Sequence, residues 1–192
     1  MHVKSAMSLI GLLLVLISSH AWCDELLITP DSIEIEDGDT LSVRFSDGRN
    51  RVQLADIDAP EDRENAKFKL DIKRTGLDFE SLIALGAIAT GQLQKLLVGS
   101  DHFTLIYNPD KRDRYGRLIG ELLDEEGISV SEKMVSEGYA VATSSKDSKS
   151  PHPYETLQRE AERKKRGLWG LLPSQMQRWA GVTTTDSHVS VP

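Results

Sequence analysis

The sequence predicts an α+β fold, with five or six short strands and three helices arranged as a small Greek-key β-barrel. Two observations carry this. Short apolar runs in the first third of the chain are cut by Asp-Gly turns, the punctuation of consecutive strands. Downstream, Leu85, Ile88, Ala89, Leu93 and Leu96 recur at helical spacing up to Gly99, which gives an amphipathic helix with one face to lay on those strands.

Residues 33–36, 41–45 and 51–57 read as strands, separated by turns at Asp37-Gly38 and Ser46-Asp47-Gly48. Residues 62–80 are densely charged and read as a long irregular loop; in compact domains such loops are functional or mobile. After the amphipathic helix, 102–107 is a strand, and 118–123 pairs with Ile128-Ser129 across a turn at 124–127. Residues 130–137 form a short helix ended by Gly138, and 139–142 a final strand. A polar linker at 144–150 leads to a last helix over about 154–165, with Tyr154, Leu157 and Ala161 on one face. The folded domain is expected over 24–170. Residues 171–192 are expected to be a partly disordered tail, because 183–192 have little to bury.

Residues 1–23 have the layout of a secretory signal peptide: Lys4, an apolar core at 9–17, then small residues around Ser19 and Ala21. The apolar run is too short for a comfortable membrane span. Cleavage after Ala21 and after Cys23 both fit. A lipoprotein with Cys23 lipidated is the alternative, and the bulky Trp22 before it argues against that. The expectation is a secreted or periplasmic monomer with no stable membrane span once the signal is removed. Cys23 is the only cysteine, so the mature chain must rely on packing rather than disulfides.

The chain carries 23 basic and 30 acidic residues, a net charge of −7. Nucleic-acid binders usually show a basic face. Here the basic residues cluster at 67–74, 111–117 and 159–166, but acids outnumber them, so grip on a polyanion should be weak and salt-sensitive.

Two short acidic turns close two of the apolar runs: Asp37-Gly38-Asp39-Thr40 and Asp56-Ile57-Asp58-Ala59-Pro60-Glu61. With their strands side by side, Asp39, Asp58 and Glu61 can converge on one hard cation and one water. That is the minimum for metal-assisted phosphodiester hydrolysis. Asp113-Arg114-Tyr115-Gly116-Arg117 supplies the positive charge such a reaction needs. An isolated Asp-Gly-Asp is an ordinary β-turn, and the second acidic turn is what gives it meaning. His102 and His152 have no partners at metal-ligand or triad spacing, and there is no zinc pattern or Gly-rich phosphate loop.

These motifs, with the closing Arg166-Gly167-Leu168-Trp169, stand in an order and at distances that resemble the staphylococcal nuclease family over about residues 33–169. The resemblance implies an OB-type five-stranded barrel with three helices. It implies a calcium-dependent phosphodiesterase acting on DNA and RNA and leaving 3′-phosphate ends. Carried over by residue, Asp39, Asp58 and the Ala59 carbonyl hold Ca2+, and Thr40 supports the site through water. Glu61 is the general base or orients the attacking water, and Arg117 binds the phosphate and stabilises transition-state charge. Tyr115 lies near the nucleotide; Asp113 and Arg114 read as loop residues, Arg114 also as a candidate phosphate contact. The chemistry is sound: calcium takes oxygen ligands, and a planar guanidinium suits two phosphate oxygens.

Two departures stand out. The family pattern has a second arginine eight residues before the glutamate, where this chain has Gln53. Arg51, two residues earlier on the same strand face, or Arg49 could partly substitute. The other departure is Thr143-Ser144-Ser145-Lys146, which lacks aromatic residues for base stacking and so predicts weaker substrate binding. The basic run 163–166 reads mainly as helix C-terminal charge. The rivals to an enzyme are a barrel with weakened catalysis that binds nucleic acid or protein, and an envelope-tethered interaction protein.

Overall fold

The structure, a computed structural model, describes residues 23–143 and 153–186, of which 182–186 are described as backbone only. Residues 1–22, which hold nearly all of the expected signal peptide 1–23, and residues 144–152 and 187–192, with the expected linker 144–150 and His152, lie outside the described residues. Strands β1 (Asp24–Ile28), β2 (Ile33–Ile35), β3 (Thr40–Phe45), β4 (Gly48–Leu54), β6 (Phe103–Arg112) and β7 (Leu118–Leu123) form one sheet in the order β1-β6-β7-β4-β3-β2. Only β4 and β7 run parallel. A second, two-stranded sheet joins β5 (Ile57–Asp58) to β8 (Val141–Ala142). The helices are α1 (Ala66–Thr75), α2 (Phe79–Val98), α3 (Val130–Ser136), α4 (Pro153–Arg163), α5 (Leu168–Leu171) and α6 (Pro173–Asp186).

Strand alternation builds the core. Leu41 and Val43 of β3, Val52 and Leu54 of β4, Phe103 and Leu105 of β6, and Leu118 and Leu122 of β7 are buried. Leu82, Leu85, Ala89 and Leu93 of α2 are buried in the same cluster, so the expected amphipathic helix is the core helix. By length and apolarity α2 could also cross a membrane, but its apolar stripe is spent on this core. The curled sheet with its helices is the expected OB-like α+β fold.

The details differ in instructive ways. The main sheet has six strands, because Asp24–Ile28, which is not among the strands expected from the sequence, pairs with β6. The strand expected over 102–107 runs on as β6 to Arg112, through Asn108-Pro109-Asp110, with a register shift between Tyr107 and Arg112. The run 51–57 is not one strand. β4 ends at Leu54, and Asp56 takes φ 62°, turning the chain into β5. Residues 62–80 are not an irregular loop either, since they hold all of α1 and the start of α2. Asn65 caps α1 by accepting from Phe68 N–H at 2.8 Å, and Gly76 closes it at φ 65°. There are six α-helices among the described residues rather than three. The expected tail contains α6, whose Met176, Trp179 and Ala180 are buried. Three apolar contacts outweigh the polar composition around them.

Candidate active site

Both acidic turns meet against α2, and two glycines let them. A Cβ on Gly38 would stand 2.9 Å from the methyls of Ala59 and Ala89, so only glycine fits between the second turn and the helix. A Cβ on Gly86 would stand 2.1 Å from the Glu61 carbonyl oxygen, so α2 admits the Glu61 backbone at that point alone for want of a side chain. Asp39 then stitches the turns together. Its Oδ2 accepts from Ala59 N–H at 2.7 Å and its Oδ1 accepts from the Thr40 hydroxyl at 2.9 Å. Asp37 Oδ1 in turn accepts from Asp39 N–H at 3.1 Å.

A lysine from α1 reaches the centre of this arrangement. Lys67 Nζ lies 3.0 Å from Asp58 Oδ1, 2.9 Å from Glu61 Oε1 and 3.0 Å from the Ala59 carbonyl oxygen. Glu61 is buried, and its second oxygen, Oε2, accepts from Asn65 Nδ2. Thus Asp58, the Ala59 carbonyl and Glu61 face one cationic position.

Arg117 approaches from the opposite wall. Asp113 opens a tight turn, its Oδ1 accepting from Tyr115 N–H at 2.8 Å and Arg117 N–H at 2.9 Å, and its Oδ2 accepting from Arg117 Nε at 2.7 Å. Arg117 also donates to Thr40 Oγ1 at 2.8 Å, which ties the arginine loop to the first acidic turn. The half-exposed Tyr115 ring lies 5.4 Å from the Arg117 guanidinium and 4.8 Å from that of Arg114. An open groove is lined by Asp39, Gln53, Asp58, Glu61, Lys67, Arg114, Tyr115 and Arg117. Arg51 borders the adjoining recess with Asp37, Glu61 and Arg117.

Gln53 sits opposite Thr40 in the β3–β4 register, and its Nε2 finds only the Leu54 carbonyl at 3.5 Å. Arg51 is within reach of the recess, but Glu36 holds its guanidinium at two points. Arg49 pairs with Glu34 instead and lines neither space.

Crowded carboxylates perturb one another. Burial, with Asp39 and Glu61 adding repulsion, pushes Asp37 up to about 8. Burial also raises Asp58 to about 7, against the pull of Lys67. Burial by itself would depress the Lys67 ammonium, yet Asp58, Glu61, Asp39 and Asp71 outweigh it and hold its pKa well above lysine's ordinary value.

A family model for staphylococcal nuclease homologues matches residues 51–170, from within β4 through the second acidic turn and Arg117 to the closing Arg-Gly-Leu-Trp. The chain belongs to this family. Two relatives from Escherichia coli, one of them from O157:H7, each called an uncharacterized endonuclease, are 30% identical over 137 residues, covering 71% of this chain and 74% of theirs. Endonuclease YhcR of Bacillus subtilis is 29% identical over 107 residues, covering 55% of this chain and 8% of its own length. Family membership and these relatives support a nuclease, in the broad sense of a hydrolase.

In this family member, the site residues proposed from the sequence lie at or beside one groove; Arg49, offered as a substitute for the missing arginine, does not. Asp37 of the first acidic turn belongs to the same place, and so do Lys67, Asn65 and Gly86, which the sequence pattern does not mark as site residues. Asp113 is more than the loop residue its sequence context suggests: an Asp three positions before Gly116 marks the side-chain-capped turn that aims Arg117. His102 is exposed, away from the groove. Lys164 pairs with Glu160, and Arg166 donates to the Ser136 carbonyl at 2.9 Å, so the basic run 163–166 serves helix packing.

Proposed function

We propose that this chain is an exported, calcium-dependent nuclease that hydrolyses phosphodiester bonds of DNA and RNA and leaves 3′-phosphate ends. The observation that carries the reading is the convergence of Asp58, the Ala59 carbonyl and Glu61 on one cationic position, in a groove that Arg117 shares. Signal-like residues 1–23 support export.

The donor set suits calcium: carboxylates and a backbone carbonyl are hard oxygens, and they already gather around a positive charge. Among the described residues no group of three acidic, histidine or cysteine side chains is set to hold a metal ion; the proposed ligand set is Asp39, Asp58 and the Ala59 carbonyl. When bound there, calcium supplies Lewis-acid polarisation of a phosphoryl oxygen. The chain's own groups do the rest. Glu61 takes the proton of the attacking water, once an oxygen is released from Lys67 or Asn65. Arg117, pre-set by Asp113 and Thr40, offers its guanidinium to the phosphate as charge builds. Gln53 offers an amide N–H from the strand between them, without charge.

The deciding experiment is cleavage of single-stranded DNA and RNA by purified protein with calcium and with chelator, beside Glu61→Gln. Calcium-dependent cleavage that falls by roughly a hundredfold or more in the variant is the expected result. Cleavage untouched by chelator or by Glu61→Gln overturns the reading. Folded protein that binds nucleic acid without cutting it favours the binding-module alternative, for which Gln53 is the supporting observation.

A further inference from the structure

We propose that Lys67 is a built-in competitor for the divalent cation: its ammonium occupies the cation position and sets how tightly the metal binds. This rests on the metal reading above.

The geometry is that of occupancy rather than of mere proximity. An ammonium has three N–H donors, and Lys67 has three acceptors within 3.0 Å: Asp58 Oδ1, Glu61 Oε1 and the Ala59 carbonyl oxygen. All three are oxygens of the second acidic turn. With every donor spent, the ammonium has none left for a phosphate, so in this arrangement Lys67 is not acting as an electrophile toward substrate. It also engages Glu61 Oε1, one of the two oxygens that could take a water's proton.

Lys67 is held there by structure outside the two acidic turns. It projects from α1, whose ends are fixed by Asn65 and Gly76. One turn along, Asp71 Oδ2 stands 3.8 Å from Nζ and accepts from the Trp179 indole N–H at 3.3 Å. The Trp179 ring lies 5.7 Å from the ammonium. Trp179 belongs to α6, beyond the stretch that matches the family model at 51–170. The C-terminal helix therefore braces a lysine into the site from behind. Displacing that lysine does not strand its charge, because Asp71 and the indole face remain beside it. This makes Lys67 a positioning residue that sets the metal requirement.

The test measures calcium affinity by titration calorimetry, and calcium-induced thermal stabilisation, for purified wild type, Lys67→Met and Lys67→Gln. Asp58→Asn marks the site, and Lys69→Gln, exposed on the same helix and paired with Glu64, controls for a general loss of charge. The expected result is calcium binding about tenfold or more tighter in Lys67→Met, the size of one competing charge removed at ion-pair distance, with a larger thermal shift. Lys69→Gln stays within about twofold of wild type. If Lys67→Met folds only with calcium, that too supports the proposal, and Lys67→Gln, which keeps polar contacts, supplies the affinity. Unchanged or weaker binding in the Lys67 variants, with wild type binding through Asp58, overturns the competitor while leaving the metal reading intact. Binding by none of the proteins overturns both.

Discussion

Gln53→Arg is the substitution on which the catalytic reading turns. In the structure Gln53 is weakly held: its amide nitrogen reaches the Leu54 carbonyl at 3.5 Å and its Oε1 accepts from the Thr40 hydroxyl at 3.4 Å, both near the outer limit of a hydrogen bond. On the proposed reading Arg117 is the guanidinium offered to the phosphate: Glu36 already holds Arg51, Arg49 points to Glu34, and Arg114, though it lines the groove, lies over the Tyr115 ring. Losing one charged donor aimed at transition-state charge costs roughly 2.7–4 kcal/mol. Adding one returns less, because ordering a new arginine costs about 1–2 kcal/mol of side-chain entropy. The balance, about 1–3 kcal/mol, corresponds to a rise of roughly five- to 150-fold in the chemical step. Single-turnover cleavage of single-stranded DNA at saturating calcium reads that step directly. A folded variant with turnover unchanged within about twofold would refute the reasoning, and would assign the missing charge to Arg51. Arg51→Gln would then be damaging in wild type and harmless when combined with Gln53→Arg.

Two further outcomes follow from the same geometry. Gly86→Ala forces a methyl against the Glu61 carbonyl at 2.1 Å, so it should cost on the order of 2 kcal/mol in melting experiments and depress cleavage further than that loss of fold explains. Gly91→Ala on the same helix meets nothing within 4 Å and should stabilise by about 0.5–1 kcal/mol with activity intact; equal behaviour of the two variants would sink the close-approach argument. The pH dependence has a definite sign. Asp37 at about 8 and Asp58 at about 7 hold protons more tightly in the fold than at their ordinary 3.8 in the unfolded chain. Their contribution is full below about 4 and is lost as pH rises through 7 and 8, so melting in chelator should fall from pH 5 to 8.5. A flat or rising melting temperature over that range would show that these carboxylates ionise freely.

The legible part of this protein is whatever repeats a local rule. Alternating strands β3 and β4, the 3.6-residue stripe of α2 and the Asp-Gly turns are readable because each is specified within a few residues. The acidic turns are readable as a pair for the same reason. The run 51–57 passes for one strand because Val52, Leu54 and Ile57 are all apolar, while the event that divides them is a single backbone angle at Asp56, a residue whose side chain tolerates φ 62°. Helix α1 is hidden by its charges. Its helical signals are a capping Asn65, a closing Gly76 and a Lys67–Asp71 pair one turn apart, all of which look like loop chemistry when the apolar stripe is as thin as Phe68 and Ile72. Lys67 cannot be found as a site residue without that helix, because only a turn of helix carries its ammonium back to Asp58 and Glu61.

The acidity that looks awkward for a nucleic-acid enzyme belongs to the site itself. Asp37, Asp39, Asp58 and Glu61 meet within the two turns, and Asp56 and Asp113 flank the groove. A phosphate entering that field is repelled unless positive charge is already present, and a buried unpaired carboxylate is costly in its own right. Lys67 and Arg117 answer in different ways: the lysine neutralises the carboxylates from within, while the arginine, aligned by Asp113 and Thr40, keeps its charge at the groove wall. On the proposed calcium reading, cation binding and phosphate binding are coupled in this groove. Any change that strengthens the hold of Lys67 on Asp58 and Glu61 should weaken calcium, and with it the substrate, without a single substrate contact being altered.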